Sequence, residues 1–101
     1  MRILVASNST SKRTDYFIKA GRSLGADTCF VTYDELSAVL PDCRDTVVKL
    51  EPPVFREADF RKYNLLCEEY RSLLSRLTDT DKSESVHFLN EPAAILCALD
   101  K

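Results

Sequence analysis

The stretch RILVASNSTSKRTDYFIKAGRSLGADTCFVT, residues 2–32, reads as strand, polar loop, helix and second strand. The apolar run Arg2 to Ala6 is too short for a helix and suits a strand covered on both faces. A polar run, 7–13, follows. Thr14 is the expected N-cap of the next helix, and Asp15 falls in its first turn, where negative charge meets the positive end of the helix dipole. Phe17, Ala20, Gly21 and Leu24 recur at helical spacing and make one apolar face. Gly25 is placed to stop the helix in the left-handed conformation. TCFVT, 28–32, is rich in β-branched and aromatic residues and forms the second strand.

The alternation continues outward from this unit. Thr32 and Glu35 have capping-box spacing and open a short helix carrying Leu36, Val39 and Leu40, which Pro41 ends. TVVKL, 46–50, is a third strand, and the single Lys49 in it predicts an edge position. EPPVFREAD, 51–59, is a loop, because two prolines cannot supply ladder donors. A long helix over 58–77 places Phe60, Tyr63, Leu66, Cys67, Tyr70, Leu73, Leu74 and Leu77 in one core-facing stripe. Glu57 and Arg61 form an i, i+4 pair near its start. The polar run 78–85 is a loop. VHFL, 86–89, is a fourth strand, and Asn90 is expected to cap a last helix with Pro92 in its first turn.

Strict β-α alternation with short apolar strands predicts an α/β three-layer sandwich built on a four-stranded parallel sheet, Rossmann-like in plan. In such folds ligands bind at the carboxyl ends of the strands. The loop Ser7–Arg13, the loop Glu51–Arg56, and Asn90 with Glu91 therefore form the expected ligand side.

Composition narrows the function classes. The 101 residues make a single domain, 1–101. A formal net charge of −2 gives no general attraction to nucleic acid or to an anionic membrane. No apolar run approaches the roughly 18 residues that span a bilayer. The opening MRILVAS is too short for a signal peptide, so a cytoplasmic protein is expected. Cys29, Cys43, Cys67 and Cys97 lie far apart without a C-x-x-C pair, and His87 is the only histidine, so metal-ligand spacing is absent. The cysteines read as reduced thiols, mostly buried. His87 lies inside a strand pattern, and Glu68 with Glu69 belongs to the polar face of the long helix. Neither makes a catalytic pairing.

The loop SNSTSKRT, 7–14, carries more chemistry. Hydroxyls, an amide and two cations precede a helix N-terminus, an arrangement that favours an anion. It resembles the phosphate loop of flavodoxins, though it lacks glycine. A phosphoacceptor receiver domain would need two acids where Ser7 and Asn8 stand, although Glu51 does end the third strand. No G-x-x-x-x-G-K-[ST] phosphate loop occurs.

The final segment, VHFLNEPAAILCALDK, runs from a strand through Asn-x-Pro into a helix ending in Asp-Lys. It resembles the exit from the N-terminal domain of ATP-grasp enzymes, and the opening MRILVASN is similar to the start of the same domain. The resemblance implies a pre-ATP-grasp domain, a fragment of a longer ligase that joins a carboxylate to an amine through an acylphosphate. It further implies that Ser7, Asn8, Ser9, Asn90 and Glu91 bind the substrate that is not ATP. Lys101 would lie near the nucleotide. ATP and Mg would be held by the parent's other domains, with no catalytic residue and no cofactor in this chain. The implied partners are those domains and a small-molecule substrate, not nucleic acid or membrane. Exposed apolar residues of the last helix, such as Ile95 and Leu99, would favour self-association. The alternative is a stand-alone flavodoxin-like module that binds a small anion or a protein partner.

Overall fold

The structure, a computed structural model, describes residues 1–55, 59–80 and 86–99. Its elements run β1 (Arg2–Ser7), α1 (Lys12–Ser23), β2 (Asp27–Thr32), α2 (Tyr33–Val39), a 3-10 turn (Leu40–Asp42), β3 (Thr46–Leu50), α3 (Phe60–Thr80), β4 (Val86–Phe88) and α4 (Pro92–Leu99). The sheet is all parallel, in the order β2-β1-β3-β4. The expected fold class is the observed one.

Side-chain alternation divides the sheet into two faces. Leu4, Ala6, Val31, Val48, Leu50 and Phe88 point to one side, where Leu36 of α2 and Tyr70, Leu73, Leu74 and Leu77 of α3 complete the core. Ile95 and Leu96 of α4 pack against the same cluster. The other face meets α1. There Lys49 lies over the Phe17 ring, 5.3 Å from its centroid. Gly21 backs onto Thr28 so closely that a Cβ would collide with it.

The caps show what fixes the helix ends. Ser11, not Thr14, is the N-cap of α1. Its hydroxyl accepts from the Thr14 amide at 3.3 Å, and the Thr14 hydroxyl accepts from the Ser11 amide at 2.8 Å. Thr14 is thus the third helical residue, and the helix begins earlier than its charge pattern suggests. At the other end the Ala26 amide bonds to the Gly21 carbonyl and the Gly25 amide to the Arg22 carbonyl, each at 3.0 Å. Gly25 has φ +84°, which completes a Schellman stop at the predicted residue. Leu24 does not join the apolar face; it is 87% exposed. The Thr32–Glu35 capping box forms as expected. Helix α2 ends at Val39, and Pro41 sits inside the 3-10 turn rather than at a simple stop.

Other expectations are corrected as well. β3 is an interior strand, between β1 and β4. Lys49 is tolerated there because β4 pairs only with Thr46 to Val48, leaving the carboxyl end of β3 without a strand on that side. α3 runs on to Thr80, through the start of the expected polar loop. Its stripe is core only in its second half. Phe60 is 85% exposed and Tyr63 and Leu65 are exposed as well. The cysteines are less buried than expected: Cys43 is buried, Cys29 and Cys67 are half-buried and Cys97 is exposed, all as free thiols. β4 ends at Phe88, one residue short of the prediction. The Glu57–Arg61 pair and the loop residues 81–85 lie outside the described residues.

Candidate functional site

The chain turns in opposite directions from β1: to β2 on one side, while β3 lies on the other. In open parallel sheets this switch point opens a crevice beyond the carboxyl ends of the two strands. Here the crevice lies between the loop after β1 and the loop after β3.

Asn8 joins these two loops. Its Oδ1 accepts from the Val54 amide at 2.6 Å, and its Nδ2 donates to the Val54 carbonyl at 2.9 Å. The side chain thus pairs with Val54 as a neighbouring strand would. Ser7 is fully buried, and its hydroxyl lies 3.2 Å from both the Pro52 carbonyl and Asn8 Oδ1. Ser9 is half-buried, and its hydroxyl makes a long contact, 3.4 Å, to the Thr10 carbonyl. Of the predicted substrate-binding residues, Ser7 and Asn8 are engaged in holding the loops together, and Ser9 faces the space beside them.

The bridge leaves a cleft on either flank. One, of 410 Å³, is bounded by Ser9, Phe55, Lys62, Leu65 and Leu66. The other, of 330 Å³, has Lys12 and Arg13 from the start of α1 facing Glu51, Pro52 and Pro53. The two cations foreseen for the loop therefore stand in the first turn of α1. Arg13 Nη1 is 3.7 Å from Glu51 Oε2. Lys49 Nζ is 3.9 Å from Glu51 Oε1, beyond hydrogen-bond reach.

Asn90 also turns toward this edge. Its Nδ2 lies 3.4 Å from the Leu50 carbonyl, while its buried Oδ1 accepts no hydrogen bond among the described residues. It does not cap α4. The first helical hydrogen bond runs from the Ile95 amide to the Glu91 carbonyl, which puts Glu91 at the cap position. Glu91 is exposed, and Pro92 is buried at the first helical residue, as expected. Lys101 lies outside the described residues.

Two buried phenols stand behind the site. Tyr33 and Tyr70 stack with ring centroids 5.5 Å apart, and the Tyr33 hydroxyl donates to the Glu51 carbonyl. Burial lifts the Tyr33 phenol well above its ordinary range, with Ser7 pulling the other way and Tyr70 and Glu51 adding to the rise. Burial, then Glu51, pushes Tyr70 up to about 12. Among the described residues no group of three His, Cys, Asp or Glu side chains could hold a metal ion, and no helix is long and apolar enough to cross a membrane.

Sequence reasoning placed Glu51 in a ligand-side loop, at the position a receiver domain gives its acceptor, but did not count it among the site residues, yet it is the buried acid of the site, with its side chain 5% exposed. The available signal was an acid closing an apolar strand directly before two prolines. No family model, curated protein or solved structure matches the chain.

Proposed function

We propose that this chain is the substrate-binding N-terminal domain of an ATP-grasp ligase. One observation carries the reading. The two segments on which the resemblance rests, Ser7–Asn8 and the Asn90–Pro92 turn, meet the same piece of backbone: Asn8 holds Val54 and Asn90 reaches the Leu50 carbonyl. Both resemblance motifs thus frame the carboxyl end of β3, at the position where folds of this plan take their ligands.

In this reading the crevice forms one wall of a cleft that other domains complete. Those domains would bind ATP and Mg and transfer the phosphoryl group to a carboxylate. The chain's own part is to bind and orient the second substrate, with Ser9 and Glu91 accessible and Ser7, Asn8 and Asn90 shaping the edge. Phosphoryl transfer needs cations preorganised around the phosphates, and the ATP-grasp reading assigns these to the other domains.

Reading the gene beyond codon 101 tests the placement. An open frame of on the order of 200 further residues, one or two domains, with a glycine-rich lid and late acidic metal ligands is expected. A stop codon directly after Lys101 would overturn it. The chain by itself should neither hydrolyse ATP nor bind it saturably in calorimetry.

The strand order favours a second reading, since flavodoxin-like sheets share the arrangement 2-1-3-4 before a fifth strand. A stand-alone module binding a small anion would show inorganic phosphate shifting the amides of residues 9–14 in an NMR titration. Shifts confined elsewhere would reject it.

A further inference from the structure

The amino ends of β3 and β4 border a cavity that is separate from the carboxyl edge. It opens between the 3-10 turn after α2, the second half of α3, and β4. Its volume is 550 Å³, larger than either cleft beside the Asn8 bridge and within the about 300–1,000 Å³ usual for ligand pockets. The walls are mainly apolar: Leu40 and Pro41 from the turn, Leu77 from α3, and Val86 and Phe88 from β4. Leu77 and Phe88 are buried, but Leu40 and Val86 are half-buried and Pro41 is exposed. The cavity thus leaves apolar surface in contact with water, which an apolar occupant would cover favourably.

The charge around it has one sign. Arg44 and Arg76 line the cavity, and among the described residues no acid does. Arg44 is exposed and forms no ion pair with any described residue. Its Nη1 donates to the Cys43 carbonyl at 2.7 Å and makes a longer contact, 3.4 Å, to the Pro41 carbonyl. The guanidinium is thereby anchored on the turn. Nε and Nη2 make no hydrogen bond to the described residues, and they form the edge of the fork that a carboxylate takes through both oxygens.

The walls and the charge together select the occupant. A cationic amphiphile would bring its charge against Arg44. A small hydrophilic anion would meet Arg44 but leave the apolar walls wet. A neutral apolar molecule would cover the walls and gain nothing from the guanidinium. An apolar chain ending in a carboxylate uses both.

We infer that the cavity between the 3-10 turn, α3 and β4 binds a medium-chain fatty acid. Its chain lies among Leu40, Leu77, Val86 and Phe88, and its carboxylate meets Nε and Nη2 of Arg44. The inference takes nothing from the proposed function, because the cavity lies toward the opposite ends of the strands.

The test is an NMR titration of the chain with octanoate at millimolar concentration, set against acetate, 1-octanol and octylammonium. Octanoate should shift the amides of Leu40, Arg44, Leu77, Val86 and Phe88 saturably. 1-Octanol should bind about fivefold more weakly, as loss of a charged hydrogen-bonded pair of about 1 kcal/mol predicts, and octylammonium more weakly still. Acetate should give no saturable shift there. Arg44→Gln should bring octanoate to the affinity of the alcohol and leave the alcohol unchanged, with Arg44→Lys, which keeps the charge without the fork, in between. Val86→Phe, which puts a ring into the cavity, should weaken octanoate and octanol alike. No saturable octanoate shift, shifts confined to other residues, equal affinity for octanoate and octanol, or full octanoate affinity in Arg44→Gln would each overturn the inference. The probes contain no nucleotide and need no other domain. A stop codon after residue 101 would therefore remove the ligase reading and leave this inference standing, and a failed titration would do the reverse.

Discussion

Asn8 shows how one side chain can decide the shape of a ligand edge. It satisfies both backbone groups of Val54 across a separation of 46 residues. Asn8→Ala should destabilise the fold by about 1–3 kcal/mol, because it leaves a partly buried amide and carbonyl without partners. Urea unfolding measures this directly, and Asn8→Asp, which keeps the acceptor and loses the donor, should fall between. The buried phenols give a second prediction. Tyr33 and Tyr70 are raised in the fold above the ordinary value near 10, Tyr70 to about 12. Across that interval the folded chain holds more protons than the unfolded one, so stability falls as pH rises from about 10 to 12, and these two groups contribute no slope below it. Chemical unfolding in alkaline buffers checks the slope, and Tyr70→Phe should flatten it.

Helix α3 shows why an apolar stripe is not yet a core. Its period is continuous from Phe60 to Leu77, but only the second half lies on the sheet, where Leu73 and Leu74 are fully buried. The first half projects past the carboxyl edge beside Phe55, whose ring meets Tyr63 edge-on at 5.3 Å between centroids. Leu73→Ala should therefore cost about 2–5 kcal/mol, whereas Phe60→Ser should cost about 0.5 kcal/mol or less. Thermal melts of the two variants separate the halves. The caps tell a related story about legibility. Gly25 and the Thr32–Glu35 box were readable because each depends on residues a few positions apart. Ser11 and Thr14 are both capping residue types, and in the structure they share one capping box, with Ser11 at the cap and Thr14 buried three residues on.

At the scale of the whole molecule, among the described residues the start of α3 brings three exposed apolar side chains together, Phe60, Tyr63 and Leu65. Ile95, expected to be exposed on α4, is half-buried in the core, and Leu99 is 39% exposed. Self-association of the chain is therefore expected through α3. Light scattering should show mass rising with concentration, and Phe60→Ser with Leu65→Ser should hold the chain as a monomer. A wild-type chain that stays monomeric throughout would contradict this. The sequence by itself determined the alternation of strands and helices, and so the parallel sheet, because periodicity, caps and turns are local. It also placed the loops that follow β1 and β3 at one edge of the sheet, since parallel strands all end on the same side. Only the tertiary structure decided that Lys49 lies in an interior strand, that half of α3 is bare, and that Glu51 is buried between two cations. Those outcomes depend on which strands lie side by side and how far each extends, and that is settled by packing between residues far apart in the chain.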